Sequence, residues 1–361
     1  MKKLFYFIYA VFFTVFRLFP VNKKRVSLIS PHNASFNDSL FYMEEEFKKH
    51  GDYLFNRVSG EDLKSAGKAL MFFTKKAYLT ATSEFVFLND NFMPFSMVRF
   101  SKKTKVVQLW HGEGVFKKFG LDTALPEKVR ISAEKCAKRY THIAVSSENV
   151  KRFYMSAFGA KEEKIIVTGI PESDGFLRER DLSSVFQKLG LTGDKKTVLY
   201  APTFRENEKS DKELLKHFDF DRFSRELGDR YELLVRLHPQ VHSAPLPEGV
   251  TDVTGYEDVN DLICLADILI TDYSSVCMEF ALLDKPMLFY AYDLEEYERE
   301  RSFYFPYESY VPGKVAHNFE ELTECLKNES FDREKIEKFR KFNFDFFDGK
   351  CSERIYNTLK R

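Results

Sequence analysis

The sequence predicts an α/β chain of two doubly wound domains, each a parallel sheet covered by helices on both faces. Three features carry that expectation. Short apolar runs alternate with longer amphipathic stretches along the chain, the pattern that helical crossovers between parallel strands impose. At 361 residues the chain is longer than one hydrophobic core usually serves. The alternation pauses once, at "GIPESDGF" (169–176), where Gly, Pro, Ser and Asp gather as they do in a linker. Domains are therefore expected over 23–174 and 175–330, after an apolar segment at 1–22 and before terminal helices at 331–361.

The chain opens on "MKKLFYFIYAVFFTVFRLFPVNKKR", an uncharged run from Leu4 to Phe16 between Lys2, Lys3 and Arg17, with Lys23, Lys24 and Arg25 beyond. A span needs roughly 20 apolar residues, so this run is short for crossing a bilayer. No small-x-small cleavage site follows it. Basic flanks, with Tyr6 and Tyr9 among the apolar residues, suit a helix lying at the cytoplasmic face of the cell membrane as a peripheral anchor. A buried N-terminal helix, or a true span or signal, is the alternative. Beyond it "RVSLIS" (25–30) reads as a strand and "SLFYMEEEFKKH" (39–50) as an amphipathic helix. "YLFNRV", "EFVFLND" and "KVVQLW" (105–110) read as strands, and "EKVRISAEKCAKRY" as a helix. "HIAVSS" (142–147), the helix "NVKRFYMSAFG" and the strand "KIIVTG" (164–169) close the first series. A second series follows in "TVLYAPT", "YELLVRLHP", "DVNDLICLADILITDYSS" and "EFALLDKPMLFYAY", and the last stretch reads as helices.

Composition narrows the function. The net charge is zero, but residues 1–175 carry 28 Lys and Arg against 18 Asp and Glu, and residues 176–361 carry 27 against 37. A first half at +10 points to phosphates or lipid head groups, and no nucleic-acid partner is expected. The five cysteines form no CxxC and no Cys/His zinc spacing, so a reducing compartment and no metal site are expected.

Ligands of doubly wound sheets bind beyond the carboxyl ends of the strands, and the motifs fall there. In "QLWHGEG" a strand breaks into a Gly-containing turn carrying Trp110 and His111. Trp110 is expected to fill core, and Gly112 to bend the chain at the strand end. "YAPTFR" offers Thr203 and Arg205; "VRLHP" places Arg236 and His238 on one side of a strand end. Arg suits bidentate phosphate binding, and His proton transfer near neutral pH. In "ILITDYSSVCMEF" a strand ends at Asp272, and Ser274 and Ser275 begin a helix whose N–H groups attract phosphate. Glu279, about one turn on among apolar neighbours, can hold two ribose hydroxyls.

"QLWHGEGVFKKFG", "VTGIPESD", "YAPTFR", "RLHP", "LADILITDYSSVCMEFALLDKPMLFYAYDLEEY" and "RSFYFPYESYVPG" resemble, in order and spacing, the CDP-glycerol glycerophosphotransferases of wall teichoic acid synthesis, from about Ser27 to about Gly313. The resemblance implies two Rossmann-like domains facing across a cleft, the GT-B fold, with no cofactor beyond the substrate CDP-glycerol. It implies transfer of glycerol phosphate to an undecaprenyl-diphosphate-linked disaccharide, with CMP released. His111 and His238 match the family's catalytic pair, Ser274 and Ser275 its donor-phosphate contacts, and Glu279 its ribose position. The sequence leaves open which histidine is the base. Polymerising members read WHGTP followed by a Lys-containing run; this chain reads WHGEG, then "VFKKFG" with Lys117 and Lys118 on the expected acceptor side. That fits the pattern of members that prime the chain. Polyol-phosphate polymerases, ribitol and capsule phosphotransferases of the family, and nucleotide-sugar glycosyltransferases are the alternatives.

Overall fold

The protein is described by a computed structural model covering residues 2–32, 36–203, 215–237, 246–247 and 249–361. It divides into two units, Met1–Gly175 with Asn343–Arg361, and Phe176–Phe342. The first holds β1 (Asn22–Ser30), β2 (Leu54–Ser59), β3 (Ser83–Leu88), β4 (Lys105–Gln108), β5 (His142–Val145) and β6 (Ile165–Val167). They form one six-stranded sheet in the order β2-β1-β3-β4-β5-β6, parallel throughout. Chain order reverses between β1 and β3, and a doubly wound sheet binds its ligand outside the carboxyl ends at such a switch.

The second unit holds β7 (Lys196–Ala201), β8 (Tyr231–Val235), β9 (Thr251–Asp252), β10 (Ile268–Thr271), β11 (Met287–Tyr290) and β12 (Lys314–Ala316). Its six-stranded order is β12-β11-β10-β7-β8-β9, again parallel. This is the strand order of dinucleotide-binding sheets, with its switch between β7 and β10. Both sheets are buried on both faces, so β10 and β11 are continuous apolar runs rather than alternating ones.

Three features differ from the sequence reading. "GIPESDGF" is no open linker: Pro171–Phe176 is helical, with proline where a helix tolerates it. A Cβ on Gly175 would stand 1.9 Å from the Tyr42 hydroxyl, so that turn is packed rather than free. The terminal helices do not form a block of their own. Arg333–Asn343 runs to the edge of the second unit, while Cys351–Lys360 returns to the first, where Ile355 and Leu359 share a core with Leu40, Met43 and Phe47. The N-terminal helix, Lys2–Phe16, is docked by one face. Tyr9 and Phe13 are buried against the rings of Phe72, Phe92, Phe95 and Phe100.

Asp174 makes the C-terminal return specific. It is buried, and its carboxylate accepts from the backbone N–H groups of Cys351 at 2.7 Å and Ser352 at 2.8 Å. A remote side chain thus satisfies the first turn of the last helix, which has no side-chain cap of its own. Asp174→Ala is expected to cost about 2 kcal/mol, a lost cap plus two buried N–H groups left unpaired. The denaturant midpoint measures this, with Asp174→Asn losing less because it keeps an acceptor.

Candidate functional site

In the first unit the strand ends at the switch carry a polar cluster built around Gln108. This side chain is buried at the end of β4. Its Oε1 accepts from the Trp110 N–H at 2.9 Å, and its Nε2 donates to the Asp90 carbonyl at 3.2 Å. The bracket holds Trp110 at φ 61, a left-handed conformation that costs a bulky residue roughly 1–3 kcal/mol. Packing against Phe119 and Phe158, centroids 5.2 Å away in each case, offsets it. Trp110 therefore fills core, as expected, and its inverted backbone sends the next residue outward.

That residue is His111, whose side chain is 52% exposed beside the Trp110 ring, centroids 4.1 Å apart. Its Nδ1 lies 3.2 Å from the Asn89 carbonyl and 3.6 Å from Asp90 Oδ2. The loop beyond is fixed from several directions. The Tyr154 hydroxyl donates to the Gly112 carbonyl at 2.8 Å, and Ser146 Oγ accepts from the Gly114 N–H at 3.0 Å. Asn343 Oδ1 accepts from the Val115 N–H at 3.0 Å. Gly114 needs glycine because its φ is 58. Gly112 does not: an added Cβ would meet only Trp110 Cδ1, at 4.0 Å, so the protein's own packing leaves that space open. Lys117 is half-buried and Lys118 exposed farther along the loop.

In the second unit the switch is tied by Asp272. Its Oδ1 accepts from the Thr203 N–H, beyond β7, at 2.7 Å and also from the Tyr273 N–H. The Tyr307 hydroxyl donates to its carbonyl at 2.8 Å. Asp272, expected among the donor contacts, is buried and positions the two strand ends; Thr203 is half-buried at their junction. Ser274 Oγ accepts from the Val276 N–H at 3.4 Å at the start of the Val276–Leu282 helix. Ser275 is exposed and makes no side-chain cap, so the capping expected of the pair falls to Ser274 alone. Arg236 donates through Nη1 to the carbonyls of Val253 at 3.1 Å and Tyr256 at 2.9 Å. It thereby holds the chain beyond β9, and its burial lowers its pKa against the pull of Asp258. Arg205 and His238 lie outside the described residues.

Glu279 lies one turn into the same helix, half-buried among Cys277, Met278 and Phe280. Its Oε2 is shielded from solvent and has no hydrogen-bond partner among the described residues. Burial pushes the carboxyl up to about 7. An unpaired buried carboxylate oxygen is costly, and hydroxyl donors from a ligand would satisfy it.

The structure thus gathers His111 and Gly112 at one switch point, and Thr203, Asp272, Ser274, Ser275 and Glu279 at the other. Sequence reasoning missed Asn89, Asp90, Gln108 and the Asn343 brace. The polar pair closing "EFVFLND", directly after an apolar strand, was a signal for the first two. Asn343 arrives from the far end of the chain and had none. Among the described residues, no group of three or more His, Cys, Asp or Glu side chains is arranged to hold a metal ion.

A family profile described as CDP-Glycerol:Poly(glycerophosphate) glycerophosphotransferase matches residues 11–361. The teichoic acid poly(ribitol-phosphate) polymerase of Bacillus spizizenii is 35% identical over 370 residues, covering 99% of this chain. The chain spans 58% of that relative's length. The teichoic acid glycerol-phosphate primase of Bacillus subtilis is 32% identical over 294 residues, 79% of this chain and 76% of the relative. Among solved structures, the wall teichoic acid polymerase TagF superposes with a TM-score of 0.81 at 24% identity, over 98% of this chain and 93% of that one. That likeness is one of fold, and it extends through both α/β units.

Proposed function

The chain belongs to the CDP-glycerol:poly(glycerophosphate) glycerophosphotransferase family, and from that premise we propose that it transfers glycerol phosphate from CDP-glycerol to an undecaprenyl-diphosphate-linked disaccharide, as the priming step of teichoic acid synthesis. The observation that carries the donor half is the shielded, unpaired Glu279 Oε2 one turn beyond Ser274 and Ser275. A carboxylate there accepts from ribose hydroxyls, and the serine hydroxyls and nearby N–H groups meet the diphosphate. His111 is the base. Its outward ring takes the proton of the attacking acceptor hydroxyl as the new O–P bond forms at the glycerol-bearing phosphorus. The bond to CMP breaks, and CMP leaves with the electron pair. His238, with the charge of Arg236, is assigned to the negative charge growing on the leaving phosphate. Lys117 and Lys118 are assigned to the acceptor's diphosphate.

Priming is favoured by WHGEG in place of WHGTP. The ribitol-phosphate relative at 35% identity supports a second reading in which the polyol is ribitol. Location at the cytoplasmic membrane face, by peripheral attachment, is proposed from the apolar outer side of the N-terminal helix. No helix among the described residues is long and apolar enough to cross a membrane.

The test incubates the protein and a lipid-linked disaccharide with CDP-glycerol, CDP-ribitol or a panel of UDP-sugars, and follows nucleotide release and product length. One added glycerol phosphate with stoichiometric CMP is expected. A ladder of products would assign polymerisation instead, CMP from CDP-ribitol alone would change the polyol, and UDP release would overturn the donor class.

Glu279 adds a pH dependence. In the free protein its carboxyl sits at about 7 rather than its ordinary 4.5, so below that pH it is protonated. Ribose hydroxyls donate best to the ionised form, so binding takes up no proton at high pH and must release one at low pH. Affinity for CDP-glycerol therefore falls as pH drops, about tenfold between pH 8 and pH 6 for one such group. CDP-glycerol is the right probe because its diphosphate is fully ionised across this range. Glu279→Gln is expected to bind more weakly and to lose the slope in calorimetry; a slope retained in that variant removes Glu279 from the donor site.

A further inference from the structure

The proposed reaction needs a bare nitrogen on His111, and the cluster at the first switch point decides which one. Nδ1 faces two groups that only accept: the Asn89 carbonyl at 3.2 Å and the Asp90 carboxylate, with Oδ2 at 3.6 Å. The proton of the neutral ring therefore sits on Nδ1, and Nε2 keeps its lone pair. Asp90 is itself held in place. Its Oδ1 accepts from the Asn91 N–H, its carbonyl accepts from Gln108, and its side chain is 23% exposed. The preceding Asn89 is anchored by Nδ2 donating to Ser30 Oγ at 3.1 Å and to Asp38.

We infer that Asp90 is a positioning residue for His111: its carboxylate reinforces the Nδ1–H form that the hydrogen bond to the Asn89 carbonyl selects, keeps Nε2 toward the acceptor hydroxyl, and balances the positive charge that the ring gains during transfer. This rests on the reading of His111 as the base. Among the described residues, the other charged or titratable groups around Asp90 are few. His32 Nε2, beyond β1, lies 3.5 Å from the same Oδ2 atom. The buried Tyr140 donates its hydroxyl to Asn91 Oδ1 at 2.8 Å, and burial keeps that phenol neutral. Asp38 is spent on Asn89 and on the Leu40 N–H at the start of the Ser39–Lys49 helix. One carboxylate oxygen thus faces two imidazoles at 3.5 and 3.6 Å, one from beyond β1 and one from beyond β4, on the strand end of β3 that lies between them. An arrangement of this kind orients a base even though the carboxylate never touches substrate.

The experiment uses the full chain with ¹⁵N-labelled histidine. Long-range proton–nitrogen spectra report the tautomer of His111, identified by the signal lost in His111→Gln. The wild type should show a protonated Nδ1 and a bare Nε2. Asp90→Ala should mix the two forms and lower kcat by ~10–100-fold, less than loss of a fully buried triad aspartate because this one is partly solvated. KM for CDP-glycerol should move by no more than about twofold, since a positioning defect acts on the transition state. Asp90→Glu should recover part of the rate. An Asp90→Ala protein with an unchanged tautomer, or with a changed tautomer and an unchanged kcat, overturns the inference. Should the wild type turn over neither CDP-glycerol nor CDP-ribitol, the family reading of the substrate fails, and the tautomer spectrum alone then upholds or overturns the role of Asp90.

Discussion

Replacing His111 with alanine is expected to lower turnover by ~10²–10⁴-fold while CDP-glycerol binding stays within about threefold of the wild type. The magnitude follows from the step assigned to the ring. An unactivated hydroxyl attacks a phosphorus already carrying negative charge, and a positioned base is worth that much in such a transfer. The preserved binding follows from the division of labour, because the shielded oxygen of Glu279 and the hydroxyls of Ser274 and Ser275 belong to the Phe176–Phe342 unit. Misfolding is a poor rival explanation. The His111 side chain is half exposed and its one hydrogen bond among the described residues goes to a backbone carbonyl, so its loss leaves no buried donor unpaired there. Trp110 and Gln108 supply the local rigidity and are untouched. Turnover and calorimetric titration with CDP-glycerol, alongside circular dichroism, separate the outcomes. A variant that folds, binds and still transfers at near the normal rate removes His111 from catalysis.

What the sequence revealed, and what it hid, divides along a physical line. Strands such as Lys105–Gln108 and Ile268–Thr271 were legible because burial on both faces forces an apolar run, and polar residues must follow once the chain leaves the sheet. The motifs sit at those exits, so His111, Asp272 and Glu279 could be read with them. β9 and β12 were missed because Thr251–Asp252 and Lys314–Ala316 are not apolar throughout, unlike the similarly short β6, Ile165–Val167. The helical stretch after Ser65 was missed for another reason: a π-helical segment, Phe72–Lys76, interrupts its repeat. Roles proved harder than positions. Asp272 and Arg236 were read as ligand contacts by residue type, and the structure shows that each also holds backbone groups at the strand ends. Asp90 looked like nothing more than the end of a strand. Its importance comes from the order β2-β1-β3-β4, which sets residues far apart in sequence side by side. Local pattern reports burial and turns well; it does not report which strand ends become neighbours.

The N-terminal helix shows how that distinction changes an experiment. Read as a free anchor, residues 1–20 invite deletion. The fold rules that out as a clean test, because Tyr9 and Phe13 are buried against Phe72, Phe92, Phe95 and Phe100 and removing them would open the first unit. The basic flank is also partly committed: Arg25 donates to Thr82 Oγ1, and Lys24 lies 4.6 Å from the centre of the Tyr53 ring. The opposite face is what a membrane can take. Leu4, Phe7, Ile8, Val11 and Val15, with Leu18 just beyond the helix, are exposed at the spacing of one helical stripe. Leu70 and Met71, next to Phe72 in the chain, are exposed as well. An apolar stripe on a docked helix, with Lys3 and Arg17 at its ends, matches a protein that lies on a bilayer rather than through it. Changing Leu4, Phe7, Val11 and Val15 together to serine should therefore spare the fold and weaken binding to anionic vesicles by about 10²–10³-fold, taking about 1 kcal/mol for each half-buried apolar side chain. Raising the salt should weaken the wild type by much less, since the basic residues contribute on the order of 1 kcal/mol apiece only where they lie near the lipid surface. Turnover should fall on a membrane-embedded acceptor and hold on a short-chain soluble one. Sedimentation with vesicles and a thermal melt decide the matter. A quadruple variant that melts normally and still sediments with the lipid, at high salt as at low, would place the membrane contact on another face of the protein.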